Sequence, residues 1–256
     1  MKKISSVLLV MLIITSFFAC KKSEHNDVSN PSSGAHALLR TDYRMFNDEQ
    51  IDSIGVLHNV YLTQAYDNFD FENYDENIKT AMFNINIGEY YGSLKDTIFN
   101  FASKVDYDNL DDYVTSQVKA YYDEALYVAD TVSNLASLRV AYSSIEHDAR
   151  TNLSGSDLDQ VLMMLSVGIN SATFWAPSEI GGNGIGYAFL EHIPTRNTGV
   201  SEPAQRSWQD TVAKDEMGAL GSAVGWGIGT LIFGGPVGAG SYIFCVAWGA
   251  ATASCS

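Results

Sequence analysis

The sequence predicts an all-α fold, an irregular helical bundle that ends in a glycine-rich helical hairpin. Three observations predict it. No proline occurs from Ser32 to Ala176, and between Ala35 and Ser154 the only glycines are Gly55, Gly88 and Gly92, so helix breakers are scarce over most of the chain. Apolar residues in that stretch recur at intervals of three and four. After Glu216 no charged residue appears for forty positions, and ten of the 21 glycines lie there.

The chain opens on a short basic start, Met1-Lys2-Lys3, followed by an uncharged, mostly apolar run from Ile4 to Phe18 and then Ala19-Cys20. As a helix the run spans roughly 22 Å, short of a hydrocarbon core of about 30 Å, so it does not make a permanent anchor by itself. The layout is that of a secretory signal peptide, residues 1–19, whose ending reads as a lipobox. In this the chain resembles a bacterial lipoprotein. The resemblance implies cleavage before Cys20, attachment of diacylglycerol to its thiol, and a stable hold on a membrane through several acyl chains. Phe17 stands where the family pattern prefers leucine, a mild departure. Lys21 follows the cysteine where an aspartate would signal inner-membrane retention, so the resemblance places the protein in the cell envelope, at the outer membrane.

Composition bounds the partners. The net charge is −15, and −17 once Lys2 and Lys3 leave with the leader. Such a surface does not seek nucleic acid or anionic headgroups. Cysteine offers only Cys245 and Cys255 besides Cys20. On an unbroken helix that pair would stand about 15 Å apart, so a disulfide would need a break near Gly249.

Residues 20–45 read as a lipidated polar tether, with Ser29-Asn30-Pro31-Ser32-Ser33-Gly34 in its middle. The bundle follows over 46–178. Asn47 and Gln50 form a capping-box pattern ahead of Ile51, Ile54, His58, Tyr61, Leu62 and Ala65, one helix face. A second helix is expected from about Asn77, and a short third over 93–103. Asn109 or Asp111 opens a helix with Tyr113, Val114, Val118, Tyr121, Ala125 and Val128 on one side. The next covers about 133–150, and the last starts at Ser154 or Ser156 and ends before Pro177. Residues 179–209, with Gly181-Gly182-Asn183-Gly184, Pro194 and Pro203, form a loop-rich connector, and Asp210 caps the final unit.

That unit, 210–256, is the hairpin, with arms of about 212–233 and 236–254 split at Gly234-Gly235-Pro236. Eight glycines lie inside the arms, and at about 0.8–1 kcal/mol each relative to alanine the deficit approaches about 8 kcal/mol. Close approach of helix backbones offsets it. Gly221, Gly225 and Gly229, four apart, are the helix-packing residues expected to permit it. The segment resembles a glycine zipper and is similar in texture to the hydrophobic helices of class II bacteriocins. Two uses follow for residues 217–255: packing into the bundle or onto a protein partner, or contact with a membrane. Trp226 and Trp248 lie inside the arms rather than at their ends, where interfacial tryptophan is expected.

No catalytic set emerges. His58 sits on the inward face of the first helix, the place of a hydrogen-bonded core residue. Glu146-His147-Asp148 diverge by about 100° per residue and cannot converge on one metal. The acidic clusters Asp67, Asp70, Glu72, Asp75, Glu76 and Asp106, Asp108, Asp111, Asp112 read as solvated surface; the second starts like an EF-hand loop but has Leu110 at the fifth position and no glycine at the sixth. Gly225-Trp226-Gly227-Ile228-Gly229 fails as a nucleotide loop because Thr230 stands where a third glycine is needed, and no Gly-x-Ser-x-Gly occurs. The expectation is a lipid-anchored, non-enzymatic envelope protein with no cofactor or metal, acting through membrane or protein association of its tail. The alternative is a periplasmic or surface binding module for a small ligand or metal ion, with a purely structural tail.

Overall fold

The computed structural model describes residues 43–69, 81, 85, 107–190, 207–233 and 237–253. Side chains of 188–190, 224–233, 237–242, 244 and 245 lie outside that description. So do the helices expected near 77 and over 93–103, the cluster around Asp70 to Glu76, the lipidation site Cys20 and the Cys245–Cys255 pair.

The described chain is an all-α bundle. Its helices are α1 (Asp48–Asn68), α2 (Ser116–Thr131), α3 (Leu135–Asn152), α4 (Gly155–Trp175), α5 (Ile185–Leu190), α6 (Trp208–Phe233) and α7 (Val237–Ala253). Single 3-10 turns occur at Tyr107–Asp112 and Ser178–Ile180. α4 is the central helix, packed by α1, α2, α3 and α6. Almost all of its circumference is buried, including Val161, Met163, Met164, Val167 and Phe174, as its near-continuous apolar run requires.

α1 begins as its sequence dictates. The Asn47 side chain accepts from the Gln50 amide (2.9 Å), and the Gln50 side chain accepts from the Asn47 amide (3.0 Å). Ile51, Ile54, Leu57, His58, Tyr61, Leu62 and Ala65 face inward. At Gly55 the helix runs so close to α4 that a Cβ would stand 2.4 Å from the Ser166 carbonyl oxygen. Replacing Asn47 by alanine removes the bond its side chain accepts from the Gln50 amide, leaves the bond donated by its own amide, and is expected to cost about 1 kcal/mol in urea-induced unfolding.

Just before α1 the chain is fastened to α4. Asp159, buried, accepts from Arg44 Nε (2.8 Å) and from the amides of Met45 (2.7 Å) and Phe46 (3.3 Å). Arg44 also pairs with Asp48 (2.9 Å), which meets Arg150 of α3 (3.2 Å).

The start of α2 differs from the sequence reading. Asn109 and Asp111 lie in the 3-10 turn, with Asp108, Asp111 and Asp112 exposed, and the helix starts six residues or so later than Asn109. Its cap is Thr115, whose hydroxyl accepts from the Val118 amide (3.2 Å) and donates to Asp157 of α4 (3.1 Å). Tyr113 and Val114 therefore precede α2. Val118, Tyr121, Tyr122, Ala125 and Ala129 form its inward face. α3 starts at Leu135, capped by Asn134 through the Ser137 amide (2.9 Å). α4 starts at Gly155 after Ser154 and ends at Trp175, ahead of Pro177.

The connector contains a short helix, α5. Asp210 is also not the cap of the last unit. Ser207 is: its hydroxyl accepts from the Asp210 amide (3.1 Å), and the Asp210 carboxylate accepts from the Ser207 amide (3.3 Å). Asp210 closes this reciprocal pair from the third helical position, so α6 begins at Trp208.

The tail belongs to the bundle. α6 packs on α4 and α7, and α7 packs on α1. Val212, Ala219, Leu220 and Ala223 of α6 are buried, as are Val246, Ala247, Trp248, Ala250 and Ala251 of α7. Trp248 meets Tyr61 of α1 edge to face, centroids 5.6 Å apart. The two tail helices approach closely at Gly218 and Gly249: a Cβ on Gly218 would fall 2.8 Å from the Gly249 carbonyl oxygen, and one on Gly249 would collide with the Ser222 side chain. Gly221 is buried, while the surroundings of Gly225 and Gly229 lie outside the described residues. Among the described residues, no helix is long and apolar enough to cross a membrane.

Candidate functional site

The strongest concentration of polar chemistry lies inside the bundle, where α6 crosses α1, α3 and α4. Asp215 and Glu216 are consecutive on α6 and fully buried. A helix turns about 100° per residue, so their carboxylates leave in different directions and meet different partners.

Asp215 looks toward α4 and α1. Its Oδ2 accepts from the Ser171 hydroxyl (2.7 Å) and from the Trp175 indole N–H (3.0 Å), donors one helical turn apart on α4. His58 Nε2 of α1 stands 3.1 Å from the same oxygen, out of line for a straight hydrogen bond. His58 Nδ1 shares a 2.9 Å bond with Asn59 Oδ1. The Asn59 amide nitrogen donates to the Asn170 carbonyl (2.8 Å), which fixes that oxygen as acceptor and Nδ1 as donor. Oδ1 of Asp215 has no hydrogen-bond partner among the described residues.

Glu216 looks toward α3. Its Oε1 accepts from the Tyr142 hydroxyl at 2.5 Å, and Oε2 has no partner among the described residues. Room for the carboxyl exists because α4 carries glycine opposite: a Cβ on Gly168 would collide with Oε1 and lie 2.8 Å from the Tyr142 ring. Burial pushes the Glu216 carboxyl up to about 8, against the downward pull of the Tyr142 hydrogen bond and with help from the neighbouring Asp215. Burial, then the Glu216 charge, pushes the Tyr142 phenol well above its usual range, and the Tyr122 phenol of α2 rises for the same reasons.

The cluster is closed to solvent. Ser171, His58 and Asp215 are the residue types of a nucleophile relay, but the serine bonds the carboxylate directly and the histidine reaches the carboxylate, so the imidazole does not face the hydroxyl as a relay requires. All three are completely buried. His147 lies on the exposed side of α3 and does not join His58. Glu146 pairs with Arg150 (2.7 Å), and Asp148 accepts from Tyr121 (2.6 Å), so that triplet disperses as its helical spacing requires. Among the described residues no group of three or more histidine, cysteine or carboxylate side chains could hold a metal.

Asp215 and Glu216 were not singled out by the sequence, although a signal was there. Asp215 falls in a row with Thr211, Ala219 and Ser222 at helical spacing, all now buried, and a carboxylate in a small-residue row is placed for burial. A scan against family models, a search of curated proteins and a search of solved structures each found no match to the chain.

Proposed function

We propose that the chain is a lipid-anchored, non-enzymatic protein of the cell envelope that works by association, its glycine-rich tail being the contact element and Cys20 the membrane anchor. The leader pattern ending in Ala19-Cys20 supports the anchor. Burial supports association over catalysis: the place where histidine, serine and carboxylates converge is closed to solvent, and a group that touches nothing from outside cannot act on it. One observation favours the second reading, a binding module with a structural tail. Leu220, Trp248 and their described neighbours on α6 and α7 are all inside the bundle.

Two measurements test this. Mass spectrometry of the native product is expected to find Cys20 as the first residue, carrying a diacylglyceryl thioether; a free thiol there removes the anchor. The full-length Cys20→Ser chain is then floated with phosphatidylethanolamine–phosphatidylglycerol vesicles. Co-flotation supports membrane contact by the tail; its absence leaves a protein partner as the object of association.

A further inference from the structure

We propose that Glu216 and the walls around it form a proton-operated lock on the tail: α6, and with it α7, is held in the bundle while the carboxyl carries a proton and is loosened when the carboxyl ionises. The inference goes beyond the association reading, since it holds whatever the tail touches.

The geometry carries it. Glu216 is completely buried, with one phenol as its hydrogen-bond donor and its second oxygen unpartnered. A neutral carboxyl tolerates that setting; a carboxylate there is an uncompensated charge in a dry interior. No facing element supplies a cation among the described residues. α1 brings His58, which reaches Asp215 and not Glu216. α2 brings Tyr122, whose hydroxyl points to the Ala213 carbonyl (3.4 Å), with Asp123 and Asp130 farther out adding negative charge. α3 brings Tyr142, and α4 brings Gly168, Ser171 and Trp175, all uncharged. The described face of α7, from Val246 to Thr252, is uncharged. On α6 itself the neighbours are Asp215, a like charge, and Lys214, which is exposed. Gly168 seals the arrangement, since any larger residue would occupy the space the carboxyl fills.

The direction follows from linkage. A carboxyl whose value is higher folded than free binds more protons in the closed state, so the lock is fully closed below the ordinary glutamate value. It weakens as pH rises toward about 8 and changes no further above that. One proton corresponds to a change of about tenfold in the opening constant per pH unit inside that window.

Hydrogen exchange on the full chain, corrected for intrinsic rates between pH 5 and 9, reads it. Amides of α6 and α7 are expected to open about tenfold more often per pH unit up to about pH 8. Glu216→Gln keeps the acceptor for Tyr142 and removes the titration, so its α6 and α7 should be insensitive to pH and better protected than wild type at pH 8. A wild-type pH slope that persists in Glu216→Gln, or no slope in wild type, overturns the proposal. Tyr142→Phe gives an independent reading. It withdraws the bond that favours the charged form, so the upper end of the window must move to higher pH; an unmoved window also overturns it.

Discussion

Trp248→Ala is expected to lower the unfolding free energy by about 3–5 kcal/mol, measured by urea denaturation of the full chain. The side chain is fully buried on α7 in edge-to-face contact with Tyr61, so its loss leaves a large cavity in a closed interior. The whole domain should unfold in one transition with a lower midpoint, because α7 touches both α1 and α6. A surface control on the same assay, Val140→Ala, should move the value by no more than about 0.5 kcal/mol, since Val140 is 73% exposed. A Trp248→Ala loss as small as the control's would place the tail outside the cooperative core.

Asp215→Ala should be comparably severe, about 3–5 kcal/mol, through a different cause. It withdraws the acceptor used by Ser171 and Trp175 and removes the oxygen that His58 Nε2 faces inside the bundle. Asp215→Asn should lose less, because the amide keeps one oxygen to stand where Oδ2 accepts from Ser171 and Trp175. Combining Asp215→Ala with His58→Ala should cost less than the sum of the two by about 0.5–3 kcal/mol, the mark of residues that share a network. Strict additivity in that cycle would show that His58 and Asp215 do not interact.

Local chemistry was readable at α1 and at the end of α4, whereas the equally local Ser207–Asp210 pair was read with the cap at Asp210. Asn47 and Gln50 announced the start of α1 because a capping box needs only four consecutive residues. Pro177 announced the end of α4 for the same reason. The start of α2 was misread because Asn109 and Asp111 are residues that favour caps and also favour tight turns; Thr115 won the cap through a tertiary bond to Asp157 of α4, which no local pattern contains. The interior cluster was harder still. Its members come from α1, α3, α4 and α6, and Asp215 lies 157 positions from His58 in the chain. Asp215 shares a helical row with Thr211, Ala219 and Ser222, but that row shows burial and not the partners that other helices bring to it. His58 was correctly expected inward and hydrogen-bonded, and the sequence could not say to what.

The fastening of Arg44, Met45 and Phe46 to Asp159 has a mechanical consequence. A tug on the chain at Tyr43 is delivered to α4, the helix on which α1, α2, α3 and α6 pack, instead of peeling α1 away turn by turn from its own first residue. Load is shared across a charge-assisted bond and two amide bonds stressed side by side, which yield together and therefore late. A domain held to a moving sheet by one end would keep its shape under strain for that reason.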